Sequence, residues 1–231
     1  MARWPDRLTV GVVCAAAALL LLAAMTAGAA EGKLVPLDIK LPRPEYRETP
    51  KDIKPRPTLE PPRAKPRPPF LAPPGCRNLA LRKPVAASDD EPIAGELEQI
   101  TDGNKSGDTE SFVELPQGRQ RIQIDLGEPS RLYAIVVWHN HGAPVIYHDV
   151  AVQVAADADF ITGVRTLFNN DYDNSLGLGI GKDKEYIEDN QGRLIDAKGV
   201  TARYVRCYTR GNTASVSNHY IEVEVYGKPA P

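Results

Sequence analysis

The stretch Gly118–His141, GRQRIQIDLGEPSRLYAIVVWHNH, decides how the chain is read. Ile122, Ile124 and Leu126 alternate with Gln123 and Asp125, the period of a strand with one face on a core. Gly127-Glu128-Pro129-Ser130 then supplies turn chemistry, because Gly frees φ and Pro fixes it. From Leu132 to Trp138 the chain is almost continuously apolar, which is the pattern of a strand covered on both faces. The run ends in Trp138, His139, Asn140 and His141. The expectation is a buried antiparallel pair that delivers rings to a loop mouth.

Outward from this stretch, the same alternation recurs at Val150/Val152/Val154, at Val205/Cys207 and at Ile221/Val223/Val225. No segment holds a helical period, and Asp157–Val164 has room for one short helical turn. Short strands between Gly, Pro and Asn clusters predict an all-β sandwich or barrel over residues 76–231, which is ample chain for one core. Two loops, Ser88–Gln99 and Asn169–Arg193, are longer than hairpins need.

The N-terminal side divides differently. Residues 1–30 read as a signal peptide, with Arg3 and Arg7 ahead of an uncharged Leu8–Ala30 and the small-x-small site Ala27-Gly28-Ala29. The expected location is therefore exported: periplasmic, cell-surface or secreted. The apolar run is also long enough to span a bilayer, so an uncleaved anchor is the alternative, and a membrane is a partner only in that case. Residues 31–75 form a basic linker with thirteen prolines between Pro36 and Pro74, expected to be disordered, extended and solvated as a spacer.

Charge follows the same division. The net −2 splits into +1 for the signal and +4 for the linker, which leaves −7 on residues 76–231. An acidic domain argues against nucleic acid, which calls for a basic face, and is compatible with divalent cations and neutral ligands.

Five passages in one order, NLALRKPVAAS (78–88), ITDGN (100–104), RIQIDLGEPSRLYAIVVWH (121–139), ARYVRCYTRGN (202–212) and HYIEVEVYG (219–227), resemble the discoidin or coagulation-factor type C domain. This is a galactose-binding-like jelly roll, similar to the family 32 carbohydrate-binding modules. The resemblance implies an antiparallel β-sandwich, often with one bound Ca²⁺, and loops at one end that hold a sugar, a lipid headgroup or a protein. It implies no enzymatic activity. The chain departs from the family after Asp102-Gly103-Asn104, where a longer loop brings Thr109 late and puts Phe112 near the usual Trp position.

Asp102 and Asn104 supply a carboxylate and an amide that suit Ca²⁺. The resemblance implies Glu222 as the ligand that closes the cage, and Thr109 is a further candidate in the loop that departs from the family. An Asx-turn without metal is the alternative at Asp102. Candidate ligand-binding residues are Trp138, His139, His141, Tyr147, His148, Arg210, Asn218 and His219, in which a ring stacks on a pyranose and the polar groups reach its hydroxyls. For Trp138 a core position is the competing reading. His139-x-His141 also has the spacing of a Zn²⁺ pair on one strand face. The acidic run Asn169–Ser175 fails as an EF-hand, because Leu176 and Lys182 stand where Gly and Glu are needed, and reads as an ordered Asx-turn loop. The family's habit of joining the domain ends makes Cys76–Cys207 a candidate disulfide. No Ser lies in a G-x-S-x-G elbow, and no hydrolase pattern is present. The expected function is an exported, non-catalytic module that binds carbohydrate at a cell surface or in a matrix. The alternative is a structural or protein-interaction domain of an envelope assembly.

Overall fold

The computed structural model describes residues 33–46, 53–63 and 65–230. The expected signal peptide lies outside the described residues. The strands are β1 (Val35–Pro36), β2 (Leu71–Ala72), β3 (Arg77–Asn78), β4 (Val85–Ala87), β5 (Val113–Leu115), β6 (Gln120–Trp138), β7 (Ala151–Ala155), β8 (Arg165–Asn169), β9 (Arg193–Thr209), β10 (Asn218–Tyr220) and β11 (Glu222–Pro229). Every ladder between them is antiparallel, and the order of the main sheet is β3-β11-β6-β9-β7-β8, with β4 also on β6. The architecture is the all-β jelly-roll sandwich that the resemblance implies. The expected helical turn at Asp157–Val164 is a bend instead, closed by the Asp157 carboxylate on the Asp159, Ile161 and Thr162 amides.

The expected reversal at Gly127–Ser130 is a corner within one ladder, and the two ends of β6 come together. Gln120 pairs with Thr209, the Thr209 hydroxyl meets that of Tyr220, and the Tyr220 ring is 5.0 Å from His139. β6 runs unbroken from Gln120 to Trp138, and its partner throughout is β9. Pairing stops at Asp125↔Tyr204 and resumes at Ser130↔Ala202, so β6 spends more residues than β9 across the gap. Gly127, at φ +89°, absorbs the excess, and the Asp125 carboxylate accepts its N–H at 2.8 Å. Gly and Pro have made a bulged corner, at which the strand turns while its ladder with β9 continues. It re-aims the strand, so that Ile122, Ile124, Leu126, Leu132, Ile135 and Val137 all enter one core with Val152, Val154, Val205, Val223 and Val225.

Past the bulge, β6 is apolar on both faces, as its sequence predicted. The outer row Ala134, Val136 and Trp138 packs with Ile221 and Tyr226, and the cover is the Pro-rich segment, through Leu37, Ile39 and Phe70. The described part of that segment lies along the sandwich instead of standing away as a solvated spacer. Its two arms pair at Val35↔Ala72 and Pro36↔Leu71. Further along, Asn190 donates to the Pro42 carbonyl, Tyr46 donates to the Glu188 carbonyl, and the Arg67 guanidinium donates to the Gln191 and Gly192 carbonyls. Proline offers few backbone donors, so docking relies on apolar contact and on side chains that satisfy carbonyls.

The candidate disulfide is not formed. Cys76 is half-buried just before the edge strand β3, whereas Cys207 is in mid-sheet, paired between Ile122 and Val152. Burial pushes the Cys207 thiol up to about 12, so it is an inert apolar group at neutral pH.

Phe70→Ala should remove part of the cover over Trp138 and cost about 1–3 kcal/mol, or a melting temperature roughly 2–10 °C lower. Thermal unfolding checks this. An unchanged transition would mean that the segment does not hold the sheet.

Candidate ligand-binding cleft and cation cage

A cleft of about 470 Å³ opens between Gln117-Gly118, His148 and the loop Arg210–Val216. Its walls are tied by one residue. Asn218 donates to the Pro116 and Gly118 carbonyls at 2.7 and 3.1 Å and accepts the Gly211 N–H at 2.7 Å. Gly211 is at φ +76°, and a Cβ there would meet the Val216 carbonyl at 3.0 Å, so this close turn needs glycine. Asn212 closes the loop by accepting the Ala214 and Ser215 amides. The His148 and Arg210 backbones pair across the cleft floor, with His148 N–H on the Gly211 carbonyl and Arg210 N–H on the His148 carbonyl.

Both side chains reach solvent. The Arg210 guanidinium is half-exposed, 4.0 Å from the Asp149 carboxylate, and His148 Nδ1 is 3.9 Å from the Glu185 carboxylate. Val216 adds an exposed aliphatic surface. A guanidinium, an imidazole, the Gln117 amide and a hydroxyl around one aliphatic contact suit a small polyhydroxylated ligand, the Asn212 amide being spent within its own loop.

Of the ring and polar residues expected here, only His148 and Arg210 line the cleft. Asn218, Tyr147 and His219 form the layer beneath. The His219 Nδ1 meets the Tyr147 hydroxyl at 3.0 Å, and Asn212 Nδ2 is 3.5 Å from the same nitrogen. Burial pulls the His219 imidazole below its ordinary value, although the Glu114 carboxylate opposes this. Trp138, at the C-terminal end of β6, and His139 and His141 just past it are buried beneath the surface and do not line the cleft, so they are not ligand-facing. Trp138 is a core ring whose indole donates to the Asn190 carbonyl. His139 bonds the buried Glu188 carboxylate through Nδ1, and His141 donates from Nε2 to the Lys105 carbonyl. Among the described residues, neither imidazole joins a group of side chains that could hold a metal, so the zinc-pair reading gains no support. Gln117, Asn212 and Ser215 were missed, although the turn-rich run GNTASVSN (211–218) marked a shaped loop.

Of the residues expected to hold a cation, Glu222 meets the Asp102-Gly103 turn. On β11, Glu222 and Glu224 share a face with Tyr226, beside Trp138, Val136 and Ala134 of β6. Glu222 Oε2 accepts the Gly103 N–H at 3.1 Å, whereas its Oε1 is buried with no partner among the described residues. Asp102 is next in chain to Gly103 and accepts the Asn104 N–H. Asn104 is already engaged, by the Ser106 N–H and by Ser111, and Thr109 is exposed in the turn that Asp108 closes. Asp102 and Glu222 fit a hard cation; Asn104 and Thr109 have other surroundings. Burial pushes the Glu222 carboxyl up to about 9, with the nearby Glu224 and Asp102 charges adding to the rise.

A second carboxylate group was half visible in the sequence. Asp149, Asp171 and Asp173 bring one oxygen each within 4.8 Å of the others and could take a cation. Asp149 enters from before β7, at a distance in sequence that no local pattern reveals. The expected Asx-turns hold the loop: the Ser175 N–H bonds Asp171 and Asp173, the Leu176 N–H bonds Asp171, and the Gly179 N–H bonds Asn174.

No family model matches the chain, and no curated protein matches it. Similar solved structures include the CBM32 module of AlyQ in complex with 4,5-unsaturated mannuronic acid, at 19% identity over 62% of this chain and 92% of that one, with a TM-score of 0.46. A chitosan-binding module 1 from a Paenibacillus sp. IK-5 chitosanase/glucanase is 23% identical over 65% and 99%, with a TM-score of 0.46. A Streptococcus pneumoniae fucose binding module is 21% identical over 65% and 97%, also at 0.46.

The raised Glu222 carboxyl sets a pH dependence. Between the ordinary 4.5 and about 9 the metal-free folded state keeps a proton that the unfolded chain has lost. Stability from this group is full below 4.5 and is lost as pH rises towards 9. In chelator, Glu222→Gln should therefore flatten the decline. Equal slopes for both proteins in a pH series of denaturant unfolding would contradict the burial of a lone carboxylate.

Proposed function

We propose that this chain is an exported, non-catalytic module that binds carbohydrate in the cleft between Gln117, His148 and Arg210–Val216, with a structural Ca²⁺ at Asp102 and Glu222. The observation that carries the reading is the cleft itself: a concavity whose backbone walls are tied by the Asn218 clamp and whose rim carries the half-exposed His148 and Arg210 side chains. Hydroxyls both donate and accept, and the lining provides both roles. The buried, unpartnered Glu222 oxygen supports the cation, because a lone carboxylate there is costly without a counter-charge. Export rests on the sequence of residues 1–30.

One observation favours the alternative of a protein-interaction domain. No Trp, Tyr or Phe lines the cleft, so the ring on which a pyranose face usually stacks is missing. The two readings separate on a panel of immobilised galactose, fucose, N-acetylglucosamine, glucosamine oligomer and mannuronate. The full mature chain should be retained on at least one sugar, and Arg210→Gln should weaken that binding about tenfold or more, the loss expected for a charge-assisted hydrogen bond. Retention on none, or binding indifferent to Arg210→Gln, would favour the protein-interaction reading.

Chelation should lower the melting temperature by roughly 5–10 °C, from about 2.7 kcal/mol of linkage at a hundred times Kd. Glu222→Gln should abolish that response. Identical melting of the wild type in calcium and in chelator would remove the ion from the proposal.

A further inference from the structure

We propose that the Pro-rich segment Arg56–Glu60 is a working part of the cleft: it holds Glu185, and through Glu185 it positions the His148 ring for ligand. The inference rests on the cleft being the binding site. None of these strap residues lines the cleft, and its lining belongs wholly to residues 117–216.

Glu185 is held from the strap. Its backbone N–H donates to the Thr58 carbonyl at 2.9 Å, and its carbonyl accepts the Glu60 N–H at 2.8 Å. The carboxylate takes a two-pronged bond from Arg56, Nε to Oε2 at 2.9 Å and Nη2 to Oε1 at 2.8 Å, and Thr58 Oγ1 adds a third at 3.0 Å. A guanidinium fork fixes the plane of a carboxylate as well as its place. The Glu185 side chain is only 13% exposed, so the fork is screened less than an ordinary surface pair.

That carboxylate faces His148 Nδ1 at 3.9 Å. The His148 backbone is fixed by its pairing with Arg210 and Gly211, but its side chain is 39% exposed and open to other rotamers. Glu185 is the charged group that singles out one of them. A carboxylate beside Nδ1 favours the tautomer with the proton on Nδ1 and leaves Nε2 as an acceptor. The ring can then accept a hydrogen bond from a ligand hydroxyl, while Arg210 on the same wall donates. Arg56, Thr58 and Glu185 are positioning residues, and His148 is the group that touches ligand.

The test uses the full mature chain and calorimetric titration with whichever sugar of the five-member panel it retains best. Arg56→Gln should weaken binding about fivefold, with Arg56→Lys between the two, while the melting temperature of both variants stays near wild type. The deciding readout is the cycle with His148→Ala. If Arg56 acts through the ring, Arg56→Gln should cause no further loss once the ring is gone. Wild-type affinity in Arg56→Gln, or an equal further loss in the His148→Ala background, would overturn the inference. Arg210→Gln read alongside tells the two failures apart. Loss with Arg210→Gln but none with Arg56→Gln leaves the cleft standing and removes the strap from it. Wild type retained by none of the five sugars removes both.

Discussion

An apolar row on the outside of a sheet has to be covered, and most of this molecule follows from how that is done. Ala134, Val136 and Trp138 stand beside Tyr226, Glu224 and Glu222 on the face turned away from the main core. A sandwich usually leaves such a face to water. Here Leu37, Ile39 and Phe70 of the Pro-rich segment lie on it, and the arms of that segment pair with each other at β1 and β2. A proline-rich chain is suited to the task, because it begins with little conformational freedom to lose and presents rings rather than amides. The charge division has the same origin. A +4 segment against a −7 body is complementary, and Arg56–Glu185 and Arg193–Glu60 are the bonds in which strap and body exchange charges.

The strands were legible in the sequence because alternation is local. Ile221/Val223/Val225 and Val205/Cys207 fell on β11 and β9, and the doubly apolar Leu132–Trp138 run announced that both faces were covered. What covers them was not legible, since the contacts join residues about a hundred positions apart. The form of the corner at Gly127–Ser130 was not legible for a different reason. A Gly at positive φ followed by Pro is local chemistry shared by turns and bulges, and only the partner strand decides between them. At the site, His148 and Arg210 were legible as polar groups at strand ends. Trp138 and His139 carry the same signature, yet their end of β6 is roofed by the Gln191-Gly192 loop and the strap.

The buried imidazoles misjudged as ligand groups explain why the cleft is pre-shaped. His139 stacks on Tyr147 with ring centroids 4.4 Å apart and is held by Glu188; Tyr147 in turn meets His219. His219 has Phe112 against its edge and Asn212 over its Nδ1. The loop residues therefore rest on an aromatic and imidazole layer whose polar atoms are mostly paired. Buried networks of this kind rigidify what stands on them. A loop backbone held this way loses little conformational freedom when ligand arrives.

The two glutamates of β11 show how finely the covered face is balanced. Glu224 Oε1 takes the Lys105 ammonium at 2.6 Å and its Oε2 takes the Tyr226 hydroxyl at 2.8 Å, so a nearly dry charge is neutralised and fully bonded. The same ammonium lies 5.2 Å above the Trp138 ring, which fastens the Asp102–Ser106 loop to the row beneath the strap. Glu222, two residues earlier on the same face, has one backbone amide and no cation. A buried carboxylate with one oxygen unbonded takes up either a proton or a positive ion, because the field of Glu224 and Asp102 adds to the cost of its charge. Lys105 bonds Glu224, and among the described residues no side chain bonds the free Glu222 oxygen, so a proton meets that carboxyl's demand for balance below about 9. The strap raises that demand by excluding water from the face, and the Gly107 backbone packs so closely on Glu45 of the strap that a Cβ would come within 2.8 Å of its side chain. What occupies Glu222 is thus coupled to how tightly the Pro-rich segment lies on the sheet.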